Sequence, residues 1–388
     1  PYMDEILHVP QAQKYCHGKF NEWDPMITTL PGLYLVSVGV IKPVVWLSGL
    51  TGNVVCSTAM LRFINLLFNC GNLYLLYLLI CKLHHREKVL FTALSLSTFP
   101  VLYFFNFLYY TDSGSTFFIL FTYLMTLYGC HKTSAFLGVC AVLFRQTNII
   151  WVAFCAGTLV AAKMDEAWKA AHTKKRDENH VKAVLFVAWP YVAVGTGFLA
   201  FVVMNDGIVV GDRTSHKACL HFPQLFYFFS FALFFSFPVS LSLSRVRRFL
   251  EALKKRPLFF LSLTCIALLL VWKFTYTHSY LLADNRHFPF YVWKRIFQRH
   301  ELVRFVIVPA YVFAGWSFAD SFKLRSLFWN LAFLSCLVAA TVPQKLLEFR
   351  YFIVPYLMYR LHMPLPSLPR LLLEFLLYTV VNAATLFI

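Results

Sequence analysis

Two adjacent carboxylates head the segment YMDEILHVPQAQKYCHGKFNEWDPMITTLPGLY. Asp4, His8 and Gln11 follow one another at i, i+4 and i+7, the spacing of one helix face. A carboxylate on such a face, opposite a leaving group, has the chemistry of a general base. The same residues also suit a structural role, because Asp-Glu ahead of an apolar turn favours a helix N-terminus. Pro10 can kink that helix or begin a second one. Trp23-Asp24-Pro25 is equally open: the ring can stack on a sugar or anchor at a membrane surface.

Further polar groups interrupt apolar sequence. Tyr109-Tyr110-Thr111-Asp112 sits between two apolar runs, and Arg145-Gln146-Thr147-Asn148 breaks another. Arg145 cannot face lipid without a cost of several kcal/mol, so it needs a partner such as Asp112 or a water-filled cavity. Gln146 and Asn148 can serve as hydrogen-bond links between helices. Leu281–His287, carrying Asp284, Arg286 and His287, leads into FPFYVWKR and mixes cations, imidazole and aromatics. Such a set can hold a phosphate beside an apolar chain, or simply form an interfacial belt with snorkelling cations. PQKLLEFRY, with Lys345, Glu348 and Arg350, is a second such patch, and Glu348 and Arg350 can also pair with each other. No Asp-x-Asp, P-loop, GxSxG or HExxH occurs, and no CxxC pair. The expected chemistry therefore uses neither metal nor cofactor.

The elements that must position these groups lie in a membrane. The chain is 59% hydrophobic, 18% aromatic and only 14% charged, with a mean hydropathy of +0.62. A water-soluble core could not absorb that. Apolar runs at about 54–81, 89–108, 117–130, 135–145, 149–162, 184–204, 225–243, 258–276, 302–318, 327–342, 351–362 and 371–388 predict about twelve crossings, several of them short. Residues 32–50 predict an interfacial segment or one more crossing. The net charge of +17 falls in blocks between the runs and not along one face, which argues against nucleic acid. Alternating the crossings puts 82–88, 163–182 and 245–256 on one side, cytosolic by the positive-inside rule. Every compact polar motif falls on the other side, cations included, and an anionic ligand is one reason for cations there. A Cys16–Cys219 disulfide is conceivable on that side, while the remaining cysteines read as small packing residues. No Asn-x-Ser/Thr sequon votes on orientation. The chain starts at Pro1 without an initiator Met and ends at Ile388 inside an apolar run, so a preceding segment and a trimmed C-terminus are expected.

Taken together, PYMDE...HVPQAQKYCHGKFNEWDPMITTLPGLY, YFFNFLYYTDSGS, FRQTNIIW, LLADNRHFPFYVWKR and VPQKLLEFRYFIVPY resemble the dolichyl-phosphate-glucose-dependent α-1,2-glucosyltransferases of the endoplasmic reticulum. The resemblance runs nearly end to end and rests on the combination of motifs. The chain departs from it in lacking the family's first transmembrane helix before Pro1, and in a short 163–183 loop. The resemblance implies an all-α, GT-C-type transmembrane bundle with luminal loop helices, forming a single catalytic domain over 1–388 in the endoplasmic reticulum membrane. It implies an inverting transfer of glucose from dolichyl-phosphate-glucose to a diglucosylated dolichyl-diphosphate oligosaccharide, the last glucose added before N-glycosylation. The catalytic base then lies on the first luminal loop, where Asp4 and Glu5 match and Asp4 is preferred. Arg350, Lys345, Arg286, His287 and Arg145 are the candidates for the donor phosphate. His8, Gln11, Trp23 and Asp24 are those for the acceptor. A sister transferase forming another linkage, or a transporter or channel-associated protein with polar groups among broken helices, are the rivals.

Overall fold

The computed structural model describes residues 2, 4–49, 55–84, 88–172, 180–213, 218–278, 281 and 288–387. Every regular element among them is helical. The chain divides into two compact units, Pro1–His216 with Leu331–Phe333 and Val381–Ile388, and Lys217–Asn330 with Leu334–Val380.

The first unit is built from α1 (Glu5–Cys16), α2 (Gly32–Ser48), α3 (Thr58–Leu83), α4 (Val89–Ser97), α5 (Pro100–Asn106), α6 (Thr111–Leu127), α7 (His131–Phe144), α8 (Ile149–His172) and α9 (His180–Met204). Ser57 starts α3 by accepting a hydrogen bond from the Met60 amide. The apolar run 89–108 does not form one helix: α4 and α5 meet at a 64° bend, with Pro100 at the start of α5. Gly129, at φ +76°, turns the chain from α6 back into α7. Gly32 lets α2 approach α7, since a Cβ there would lie 2.6 Å from the Leu143 backbone. Thr126 bonds Ser134 at 2.8 Å and Tyr191 at 3.0 Å, fastening α6, α7 and α9 by polar contacts inside apolar surroundings.

This unit sorts its polar segments by end. At one end, Asn65 near the start of α3 donates to the carbonyls of Leu108 and Tyr110, and Asp112 pairs with Arg145. The Asp212 amide joins them by donating to the carbonyl of Pro25. At the other end, Lys82 covers the ring of Tyr128.

The second unit carries α10 (Pro223–Phe235), α11 (Leu243–Lys255), α12 (Pro257–Phe274), α13 (Val308–Ser321), most of α14 (Leu327–Thr341), α15 (Ile353–His362) and most of α16 (Leu368–Phe387). The basic stretch 245–256 is not a loop. It forms α11, an amphipathic helix with no buried residue, whose Phe249 packs on Phe260, Phe313 and Trp316. Arg248 bonds Asp320 at 2.7 Å, and Arg245 bonds Ser317 and Ser321 of α13. Away from that end, residues 219–224 bond to 342–346 through Cys219, His221 and Gln224.

Among the described residues, six helices are long and apolar enough to cross a membrane, seven if α4 and α5 count as one span. That revises the expected twelve. Four other apolar helices, among them α2, α7 and α10, have 10–17 residues, short of the roughly 20 a crossing needs. The run 351–362 fails for another reason: α15 has ten residues and is buried on nearly every side, as a helix packed within protein is. The cysteine pairing is also corrected. Cys16 is bonded to Cys56, and Cys219 is free.

Candidate functional site

The two carboxylates at the head of α1 have different surroundings. Glu5 is fully buried (0% exposed), and its oxygens accept four hydrogen bonds: Arg62 Nε at 2.8 Å, Arg62 Nη2 at 2.5 Å, the Tyr109 amide at 2.7 Å and the Tyr2 amide at 2.8 Å. Burial alone pushes the Glu5 carboxyl up. The Arg62 hydrogen bonds, the two amides and the Arg62 charge outweigh burial and hold it below its ordinary value. A general base works best with a pKa near the operating pH, and Glu5 is held on the wrong side of it. Its bonds to Arg62 clamp α1 to α3.

Asp4 occupies the N-cap position of α1, but its side chain makes no capping bond. Its carbonyl accepts the amides of Leu7 and His8, and its amide donates to the Tyr110 hydroxyl at 2.6 Å. That hydroxyl in turn donates to the Tyr2 carbonyl. Tyr110 thus fixes the backbone of Asp4 while leaving its carboxylate half-buried and outside the clamp.

α1 is fastened at its far end as well. The Cys16–Cys56 disulfide joins its last residue to the chain just before α3, and Gln13 Nε2 donates to the Cys56 carbonyl at 3.2 Å. Pro10 lies inside α1 without ending it. His8 bonds the Tyr34 hydroxyl through Nδ1 at 2.5 Å and packs edge-on to Tyr110. Gln11 donates to the Glu22 carbonyl and accepts the Asp24 amide, so it organises the loop that follows α1. Trp23 packs against Tyr15 and Tyr34 and donates to the Ile27 carbonyl. Asp24 Oδ1 accepts the Met26 amide in a turn over Pro25. The four acceptor candidates are therefore brought onto one helix and loop, each with a structural contact of its own.

The donor candidates divide differently. Arg145 pairs with Asp112 at 2.5 Å, the structural alternative, and Asp112 Oδ2 is buried with no hydrogen-bond partner. Arg286 and His287 lie outside the described residues. Lys345 and Arg350 belong to the second unit. Arg350 pairs with Glu348, again the structural alternative. Lys345 is exposed and forms no ion pair among the described residues, while its carbonyl accepts from Nδ1 of buried His221. Burial pushes that imidazole down to about 4, so it is neutral at physiological pH. Among the described residues no three His, Cys, Asp or Glu converge to hold a metal ion.

Four further residues emerge only from the structure. Arg62 and Cys56 complete the fastening of α1. Arg360 and Glu374, both almost wholly buried in the second unit, form a two-bond ion pair at 2.8 Å, with Tyr378 reaching Glu374 and Tyr356 reaching Tyr378. Arg62, Arg360 and Glu374 each interrupt an apolar run, the mark of an intramembrane charge that has found a partner.

A model of the DIE2/ALG10 family matches residues 1–361. The chain is 58% identical over 422 residues to a Mus musculus protein, covering 100% of this chain and 89% of that one. It is 58% identical over 421 residues to a Homo sapiens protein, with the same coverage. An Arabidopsis thaliana protein is 34% identical over 437 residues, covering 93% of this chain and 86% of its own. All three are named Dol-P-Glc:Glc(2)Man(9)GlcNAc(2)-PP-Dol alpha-1,2-glucosyltransferase. No solved structure matches the chain.

Proposed function

The chain belongs to the DIE2/ALG10 family, and we propose from that premise that it transfers one glucose from dolichyl-phosphate-glucose to the terminal glucose of a diglucosylated dolichyl-diphosphate oligosaccharide, forming an α-1,2 linkage. The end-to-end match to relatives named for that activity carries the reading. The enzyme works in the endoplasmic reticulum membrane with its site toward the lumen, a side chosen by the basic segments at the opposite end.

The reaction is a single inverting displacement. The acceptor 2-oxygen bonds to the anomeric carbon as the bond from that carbon to the phosphate oxygen breaks. The hydroxyl proton passes to the Asp4 carboxylate, and the electron pair leaves on dolichyl phosphate. The separation of Asp4 from the Glu5 clamp supports Asp4 as the base, a contribution of roughly 10²- to 10⁴-fold. Lys345, with Arg286 and His287, offers positive charge to the departing phosphate. Arg350 and Arg145 remain candidates, each also paired with a carboxylate, Glu348 and Asp112 respectively. Stabilising the leaving group through cationic side chains needs no metal and no cofactor.

The deciding experiment is in vitro transfer between defined lipid-linked substrates, with the product linkage read. Wild-type protein is expected to form the α-1,2 product at a rate indifferent to chelator. Asp4→Asn is expected to unfold normally with heat yet transfer nothing. Turnover by Asp4→Asn at the wild-type rate would remove Asp4 from the chemistry, and loss of activity with chelator would overturn the metal-free mechanism.

A further inference from the structure

At the end of α3 away from Cys56 and Arg62, the last turns of α3, the start of α4 and the end of α6 enclose a recess of about 760 Å³. Lys82 and Lys88 stand in its wall with Tyr77, Tyr128, Leu90 and Phe91, and among the described residues no carboxylate lines it. Lys82 Nζ lies 4.8 Å from the centre of the Tyr128 ring. Lys88 adopts φ +60°, a left-handed conformation that non-glycine residues rarely hold. Lys88, immediately before α4, lines the same recess.

The wall has two chemistries in a fixed order. Leu90, Phe91 and Tyr77 are exposed on elements of a membrane-spanning pair, so in a bilayer they meet acyl chains. The lysines lie where α3 leaves the apolar layer. A ligand filling both parts has an anionic head and a hydrocarbon body. The donor lipid is not a candidate: α3 has 26 residues, about 39 Å at 1.5 Å per residue, and Asp4 is at its other end. The positive-inside reading puts the recess in the cytosolic leaflet, where anionic lipids are concentrated.

We propose that this recess is a binding site for one acidic glycerophospholipid of the cytosolic leaflet, its headgroup held by Lys82 and Lys88 against Tyr128 and its chains lying over Leu90 and Phe91. Two ammonium groups suit a head that carries an anionic group beyond its phosphodiester, as a phosphoserine does. The bound lipid joins the end of α3 and the start of α4 to the end of α6.

The test is native mass spectrometry of the purified full chain equilibrated with phosphatidylcholine alone or mixed with phosphatidylserine. The wild type is expected to retain one phosphatidylserine in preference to phosphatidylcholine, and Lys82→Gln/Lys88→Gln to lose that preference by roughly tenfold or more, given the pull of each lysine on an anionic lipid. Lys82→Arg/Lys88→Arg is expected to keep it. Equal retention by the wild type and the glutamine variant, or no preference in the wild type, overturns the site. Glycerophosphoserine, the head without its chains, is expected not to displace the lipid; full displacement would make the recess a plain anion site and refute the lipid assignment. If the double variant does not accumulate, Lys88→Gln alone carries the test under the same criterion.

Discussion

Replacing Arg62 by Gln tests whether α1 is held by the Glu5 clamp. The substitution removes two of the four donors to Glu5 and leaves the amides of Tyr109 and Tyr2. Breaking a fully buried ion pair from one side costs about 3–5 kcal/mol, whereas an exposed pair contributes about 0–1 kcal/mol. Glu5 is 0% exposed but Arg62 is 37% exposed, and two amides remain, so about 2–3 kcal/mol is expected. The pH dependence gives a second reading. In the wild type the Glu5 pKa is lowered, so its contribution to stability is present above the ordinary carboxylate value of 4.5 and is lost only as pH falls below it. Without Arg62, burial is opposed by the amides alone, and the loss moves to higher pH. Thermal unfolding in detergent across pH 4–7, for Arg62→Gln, Glu5→Gln and both together, measures stability and coupling. Transfer should fall by about tenfold to a hundredfold, mainly in kcat, because Asp4 shifts with the head of α1. Additive effects of the two substitutions, or an unchanged acid limb, would refute the clamp.

Three other outcomes follow from particular contacts. Non-reducing peptide mapping is expected to recover Cys16 joined to Cys56 and not to Cys219, and Cys56→Ser to cost about 2–4 kcal/mol in thermal unfolding; an intact Cys16–Cys219 peptide would reverse the assignment. Glu374→Gln strands the buried Arg360 guanidinium and is expected to cost about 3–5 kcal/mol, read as loss of monodisperse protein in detergent. Replacing both Arg360 and Glu374 by Met should recover much of that loss, and a double variant no better than the single one would count against the pair.

What the amino-acid pattern revealed, and what it hid, follows from the range of each signal. Apolar composition gave the membrane and the helices, because both depend on sums over many residues. The number of crossings did not survive, because an apolar run records burial without saying whether lipid or protein buries it. Residues 351–362 read as one more apolar run, yet α15 is buried on nearly every side. The run 89–108 was read as one crossing, and only the 64° bend shows that α4 and α5 do not continue each other. The pairs Asp112–Arg145 and Glu348–Arg350 were among the alternatives, since opposite charges in apolar sequence seek partners. Arg62 carried the same signal and was passed over inside an otherwise apolar run. Cys56 carried none, because one cysteine at a helix start reads like any small residue.

The division of work proposed between Asp4 and Glu5 comes from one step of the helix. Successive residues point about 100° apart, so when Glu5 turns inward to Arg62 and the Tyr109 amide, Asp4 cannot share that environment. Glu5 needs its extra methylene to reach both guanidinium nitrogens while its own backbone remains in the first turn. Asp4, shorter and at the N-cap, is fixed through its amide and carbonyl, and its side chain makes no capping bond. An acid saturated with donors keeps its charge and holds the helix. Asp4, outside that clamp, is the carboxylate proposed to accept the proton. Neighbouring residues of similar chemistry thus acquire opposite duties from their position at a helix start, and the rigidity of one sets the aim of the other.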